Sequence, residues 1–243
     1  MQILNILTGI IDRPSVALEQ ARKEARSWWL PALLLIVAAT LAIWIAAPYQ
    51  VEVTNRRSLQ MIERLADRLP EEQVAAMRDS VRPITLGTYL VTGIGGAVVI
   101  MALGWLARAV IIHLSSLAAG NTGTWGATFA VTIWSMIPLA MRDLVQAVYV
   151  GVYRQMIEHQ GISFLVASGD WMRDGQNLLY ITLSRIDPFV IWHTVLLGLG
   201  IAMLTQTGRA KGILWAAVLW ALFTALNLIP TAITIALSGG LMG

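Results

Sequence analysis

The sequence contains no cysteine. That absence removes disulfides, thiolate metal sites and a cysteine nucleophile together. Charge is scarce as well: charged residues make up 13% of the chain, about half the share of an ordinary soluble domain. No H-E-x-x-H zinc pattern, nucleophile elbow or glycine-rich phosphate loop occurs. No catalytic residue, cofactor or metal is therefore expected. Basic stripes interleaved with aromatic residues are missing too, which argues against nucleic acid as a partner. Of the 17 basic residues only Lys23 and Lys211 are lysine, a bias that points weakly to a GC-rich bacterial source.

Apolar residues fill the space that charge leaves, at 57% of the 243 residues with a mean hydropathy of +0.68. Each membrane span takes about 20 residues. The chain therefore has room for one membrane domain of several spans and no second folded domain. The expected fold class is all-α, a polytopic membrane helix bundle of five transmembrane helices with an N-terminal amphipathic helix and an extramembrane helical hairpin. The lipid bilayer is the first expected partner, and the basic pI near 9.6 suits contact with anionic lipid.

Taken in order, Ile3, Leu4, Ile6, Leu7, Ile10 and Ile11 recur at helical spacing, which predicts a short helix lying on the membrane surface. Residues 1–27 form this amphipathic segment and end in the basic cluster Arg22, Lys23 and Arg26. Residues 28–48 form the first span, bounded by Trp28, Trp29 and Tyr49. Residues 50–83 carry six arginines and six acids, and their two helical patterns meet at Pro70. This predicts a polar hairpin that either rests on the membrane or docks a partner.

Residues 86–114 form the second span, with Gly87, Gly93, Gly95, Gly96 and Gly104 among apolar residues. Gly93 and Gly96 are candidate packing positions, because small residues let helix backbones approach; a break lining a transport path is the alternative. Arg108, 22 residues beyond Leu86, is expected to reach the far interface by snorkelling. Residues 125–153 form the third span, with Pro138 as a kink. Arg142 and Asp143 follow it, 17 residues beyond Trp125, or roughly 25 Å of helix. That places both charges near the interface. The connection at residues 154–186 is long for a helical membrane domain. Asp187-Pro188 opens the fourth span, residues 187–206, as cap and first-turn proline. Residues 213–237 form the fifth span, where Ala217, Ala221 and Ala225 read as a packing seam.

The basic residues at short loops and span ends place the N-terminus on the cytoplasmic side, counting Arg108, Arg209 and Lys211 with the N-terminal cluster. Both long loops then lie outside. Arg142, Asp143, Arg185 and Asp187 gather near the outer interface, where an Arg142–Asp187 pair is expected, with Asp143 meeting Arg185 or the loop. His113 and His193 sit at different depths, so a shared metal or proton-relay site is not expected.

The segment from Pro14 to Trp28-Trp29-Leu30-Pro31, the glycine-rich second span, Ser135-Met136-Ile137-Pro138, and Asp187-Pro188-Phe189-Val190-Ile191-Trp192 with Gly198 and Gly200 together resemble the Yip-type membrane proteins, relatives of the Ypt/Rab-interacting proteins, in their bacterial branch. Trp192 is a candidate interaction residue on this ground. The resemblance implies five spans and a cytoplasmic N-terminus, hence the bacterial inner membrane. It also implies no enzyme activity. The leading expectation is an accessory or scaffold subunit of another membrane complex, such as an ABC-type exporter, or a homo-oligomer. A small transporter or channel with broken glycine-rich helices, and a membrane-trafficking factor as in eukaryotic relatives, are the alternatives.

The lack of native cysteine makes orientation directly measurable. A single cysteine replacing Gln60 should react with an impermeant maleimide added outside the cell; reaction only from the cytoplasmic side would invert the topology.

Overall fold

The structure is a computed structural model and describes residues 2–66 and 69–239. Among the described residues the secondary structure is helical, with no strand. The helices are α1 (Gln2–Asp12), α2 (Pro14–Lys23), α3 (Trp29–Ala66), α4 (Glu71–Ser80), α5 (Leu86–Ala118), α6 (Trp125–Trp134), α7 (Ile137–Tyr153), α8 (Trp171–Gln176), α9 (Leu178–Leu183), α10 (Pro188–Thr205) and α11 (Arg209–Gly239). Short 3-10 turns cover Ala25–Trp28 and Ser163–Val166. Five segments are long and apolar enough to cross a membrane: Ala25–Ala66, Leu86–Ala118, Trp125–Tyr153, Pro188–Thr205 and Arg209–Ala236. The chain is an all-α polytopic membrane protein. Part of the expected hairpin junction, residues 67–68, and the tail 240–243 lie outside the described residues.

The chain divides into two compact units. The first comprises residues 1–36, 102–142 and 158–243. Its core gathers Ile6 and Ile10 of α1, Leu18 of α2, Val131 and Trp134 of α6, and Leu196 and Ile201 of α10. α1 therefore does more than lie on a surface. Ile6 and Ile10 are fully buried, whereas Leu4 and Ile11 of the same apolar set remain exposed. Gly9 makes the approach to α2 close, since a Cβ there would stand 3.1 Å from that of Ala17. Along α2, Arg22 donates two hydrogen bonds to Glu19, at 2.8 and 2.6 Å. They hold the Glu19 carboxyl below its usual range. The pair therefore contributes above the ordinary carboxylate pKa and fades as pH falls through the lowered value.

The N-terminal segment then wraps α6. Trp134 Nε1–H donates to Ser27 Oγ at 2.9 Å in the interior, and Trp28 meets Phe129 edge-on with ring centroids 5.3 Å apart. α6 itself is buried from Ala127 through Trp134 except at Phe129. A helix apolar on all sides belongs in a core.

α10 and α11 make the tightest contact. Gln206 closes α10 in the left-handed conformation, at φ 54°, a place that glycine usually holds. A Cβ on Gly198 would fall 2.5 Å from Ile213 Cα, and one on Gly212 would fall 2.3 Å from the Gly198 carbonyl oxygen. Gly200 likewise faces Val131 of α6, at 2.6 Å. In lipid, where apolar surface gains little by leaving the solvent, such backbone contact is a main source of helix association. The buried face of α11 runs through Gly212, Ala216, Leu219 and Thr224, while Ala217, Ala221 and Ala225 are exposed. The expected alanine seam thus points away from the core of its own unit.

The second unit comprises residues 37–101 and 143–157. α3 runs through Pro48 to Ala66 without interruption. The first arm of the expected hairpin is thus the continuation of the first span, and 38 residues make about 57 Å of helix, well beyond a hydrocarbon core of about 30 Å. α4 forms the second arm, with Glu71 and Glu72 in its first turn, where the helix dipole favours acids. The return to α5 is fixed by Asn55, whose Oδ1 accepts from Ile84 N–H at 2.9 Å while its Nδ2 donates to the Ile84 carbonyl at 3.2 Å.

Candidate functional site

The third membrane segment breaks where its proline dictates. Pro138 has no N–H for the carbonyl of Trp134, and its ring would clash there. α6 ends at Trp134 and α7 begins at Ile137. Across the break Met136 N–H bonds to Ile133 and Leu139 N–H to Met136, so the Ser135 carbonyl loses the Leu139 partner that a continuous helix would supply. His193 of α10 takes it, with Nδ1 2.9 Å from the Ser135 oxygen. A carbonyl only accepts, so Nδ1 carries the proton. Both residues are buried. The remaining hydroxyls turn inward on their own helix: Ser135 donates to the Thr132 carbonyl at 2.7 Å and Thr132 to that of Thr128 at 2.8 Å.

Asp187, immediately before α10, does two jobs. Its Oδ1 accepts from Val190 N–H at 2.8 Å as the helix cap, and its Oδ2 stands 3.9 Å from Arg142 Nη1. That separation is an ion pair without a direct hydrogen bond. Arg185, in the loop before α10, is half-buried. Asp143 is half-buried and belongs to the second unit.

Next to these groups, in the first unit, lies a cavity of about 350 Å³. Arg108, Arg142, Arg185 and His193 line it, with hydroxyls from Ser184, Thr194 and Thr224, and no carboxylate contributes to its wall. Apolar side chains line it as well, among them Leu197, Trp220 and Phe223. For Arg108, helix counting gives the depth of the Cα and no direction. Its side chain does not run toward the nearer end of α5; its Nη1 turns back one helical turn to donate to the Gly104 carbonyl at 3.1 Å. Its guanidinium lies 4.4 Å from the centre of the Phe223 ring, a cation–π distance.

The other candidate positions are scattered. Gly93 meets Ile43 of α3 at an ordinary distance of 3.5 Å, while Gly87, Gly95 and Gly96 face open space. α5 continues unbroken past all of them. Pro138 is buried at the break, and Trp192 is half-buried against the core of the first unit. His113 is 3.3 Å from the Thr128 hydroxyl and edge-on to Trp125, remote in role from His193. Among the described residues no three His, Asp or Glu side chains gather as metal ligands. The sequence carries one signal for the fold-back of Arg108: Gly104 stands one helical turn before it and leaves the arginine room.

Five membrane-crossing helices with a polar break buried against a capped fourth span define an integral membrane protein of a particular helical class. The chain matches the Yip1 domain over residues 8–229 and belongs to that family. No curated protein and no solved structure matches it.

The double role of Asp187 fixes how it responds to substitution. Asp187→Asn keeps a cap and should lower unfolding stability by at most about 0.5 kcal/mol, whereas Asp187→Ala should cost about 1–2 kcal/mol. Equal losses in chemical unfolding of the detergent-solubilised protein would show that the ion pair contributes more than the cap.

Proposed function

We propose that the protein is a non-enzymatic accessory or scaffold subunit that packs against another complex in the bacterial inner membrane, with its N-terminus in the cytoplasm. The observation that carries this reading is the exposed face of α5. Gly87, Val91, Gly95 and Val99 recur every four residues and are all exposed, and nothing in the chain lies within 4 Å of where a Cβ on Gly87 or Gly95 would stand. Glycine repeated along a helix face gives a second helix close access to the backbone. The exposed Ala217, Ala221 and Ala225 of α11 repeat the arrangement. An export transporter of the ABC type is the partner class that the family resemblance implies, and a second copy of the chain is the other.

The transporter or channel alternative draws on helix breaks at Gly93, Gly95, Gly96 and Pro138; α5 runs unbroken past the glycines, and the break at Pro138 is buried within the first unit. Trafficking, as in eukaryotic relatives, has no separate support in the geometry. A photo-crosslinking residue at Gly95 in the full chain, irradiated in native membranes, should give one discrete protein adduct. The same residue at Arg78 on α4 should not. Lipid adducts alone at Gly95, or substrate flux through liposomes holding only this protein, would overturn the reading.

A further inference from the structure

Three arginines line the cavity in the first unit, and no carboxylate is among the residues of its wall. Arg108 and Arg185 have no carboxylate partner among the described residues, and Arg142 shares Asp187 with the cap of α10. Arg108 lies within a spanning segment, where an arginine is costly unless something compensates it. The Gly104 carbonyl and the Phe223 ring supply only partial dipoles. Guanidinium groups match the oxygens of a phosphate in pairs, and the Thr224 hydroxyl on the same wall can donate to the group, whereas those of Ser184 and Thr194 already donate to the Ile181 and Val190 carbonyls at 2.8 Å. The volume of about 350 Å³ exceeds what an inorganic ion fills. The apolar side chains of Leu197, Trp220 and Phe223 offer a seat for hydrocarbon in the same cavity.

We propose that this cavity binds a phosphate group, and that its source is the headgroup of an anionic phospholipid, held by Arg108, Arg142 and Arg185 with its glycerol and first acyl carbons against Trp220 and Phe223. Basic pockets between spans take lipid headgroups by this chemistry. The site uses none of the residues on the exposed α5 face, so it stands whether or not the subunit has a protein partner.

The test uses the full chain in nanodiscs of phosphatidylcholine, with or without phosphatidylglycerol, read by native mass spectrometry after release and by thermal unfolding. Phosphatidylglycerol should remain bound and raise the melting temperature, and Arg185→Gln should weaken retention roughly tenfold or more. Arg185→Lys should recover part of it, and Arg78→Gln, a surface charge elsewhere, should leave it unchanged. Inorganic phosphate titrated into the phosphatidylcholine sample separates the two sources. If it stabilises the native protein and fails to stabilise Arg185→Gln, while phosphatidylglycerol gives no retained adduct, the phosphate site stands and its ligand is soluble. Should neither ligand distinguish native protein from Arg185→Gln, or should Arg78→Gln lower retention equally, the proposal is wrong. Arg185 lies outside the helices, and the melting curve of each variant in phosphatidylcholine alone checks that it has folded.

Discussion

The hydrogen bond from His193 to the Ser135 carbonyl is the interaction on which the first unit depends. Lipid offers no water to an orphaned backbone group, and leaving one unsatisfied costs several kcal/mol. The helix break at Pro138, where Leu139 N–H turns to Met136, leaves the Ser135 carbonyl as such a group in a buried segment, and α10 brings the donor that removes the cost. The bond thereby fixes the rotation and height of α10 against α6. Once α10 is held, Gly198 meets the backbone of Ile213 and Gly200 meets the Val131 side chain, contacts that leave no room for a Cβ on either glycine. Ser116 closes the other end of the helix by donating to the Leu204 carbonyl at 2.7 Å.

The basic cavity follows from the same placement. α10 carries His193 and Thr194 into it, and α11, pressed against α10 through Gly212, carries Trp220, Phe223 and Thr224. The loop before α10 brings Arg185. That loop is itself well ordered by local bonds: Gly161, at φ 57°, lets the Leu183, Ser184 and Ile186 carbonyls close to within 2.6–2.8 Å of where a Cβ would stand, and His159 lies 3.0 Å from the Tyr180 hydroxyl. A long connection thus becomes one wall of a site through its own hydrogen bonds.

Much of this is legible in the sequence where the signal is local. The apolar runs mark five membrane-crossing segments, Asp187-Pro188 marks the start of α10, and helix rise places Arg142 beside Asp187. Long-range choices are less legible. Periodicity cannot say which face of α11 meets α10, so Ala217, Ala221 and Ala225 look like Gly212 and Ala216 until the partner helix is known. Glycine density cannot say whether another helix is present, which is why Gly96 faces open space while Gly198 is crowded. Counting residues gives the depth of a Cα and not the direction of a long side chain, so it does not show that Arg108 folds back one turn to the Gly104 carbonyl. The polar second half of α3 suggests a new element after Pro48, but a proline can remain inside a helix when neighbouring groups tolerate its missing bond.

A double-mutant cycle on Pro138 and His193 tests the central dependence. With Pro138 in place, His193→Leu should cost roughly 1–3 kcal/mol in unfolding stability, because the Ser135 carbonyl is left buried and unpaired. In the Pro138→Ala background Leu139 N–H can return to Ser135, and the same substitution should cost within about 0.5 kcal/mol. Equal costs in the two backgrounds would show that the histidine does not serve the carbonyl that the proline exposes.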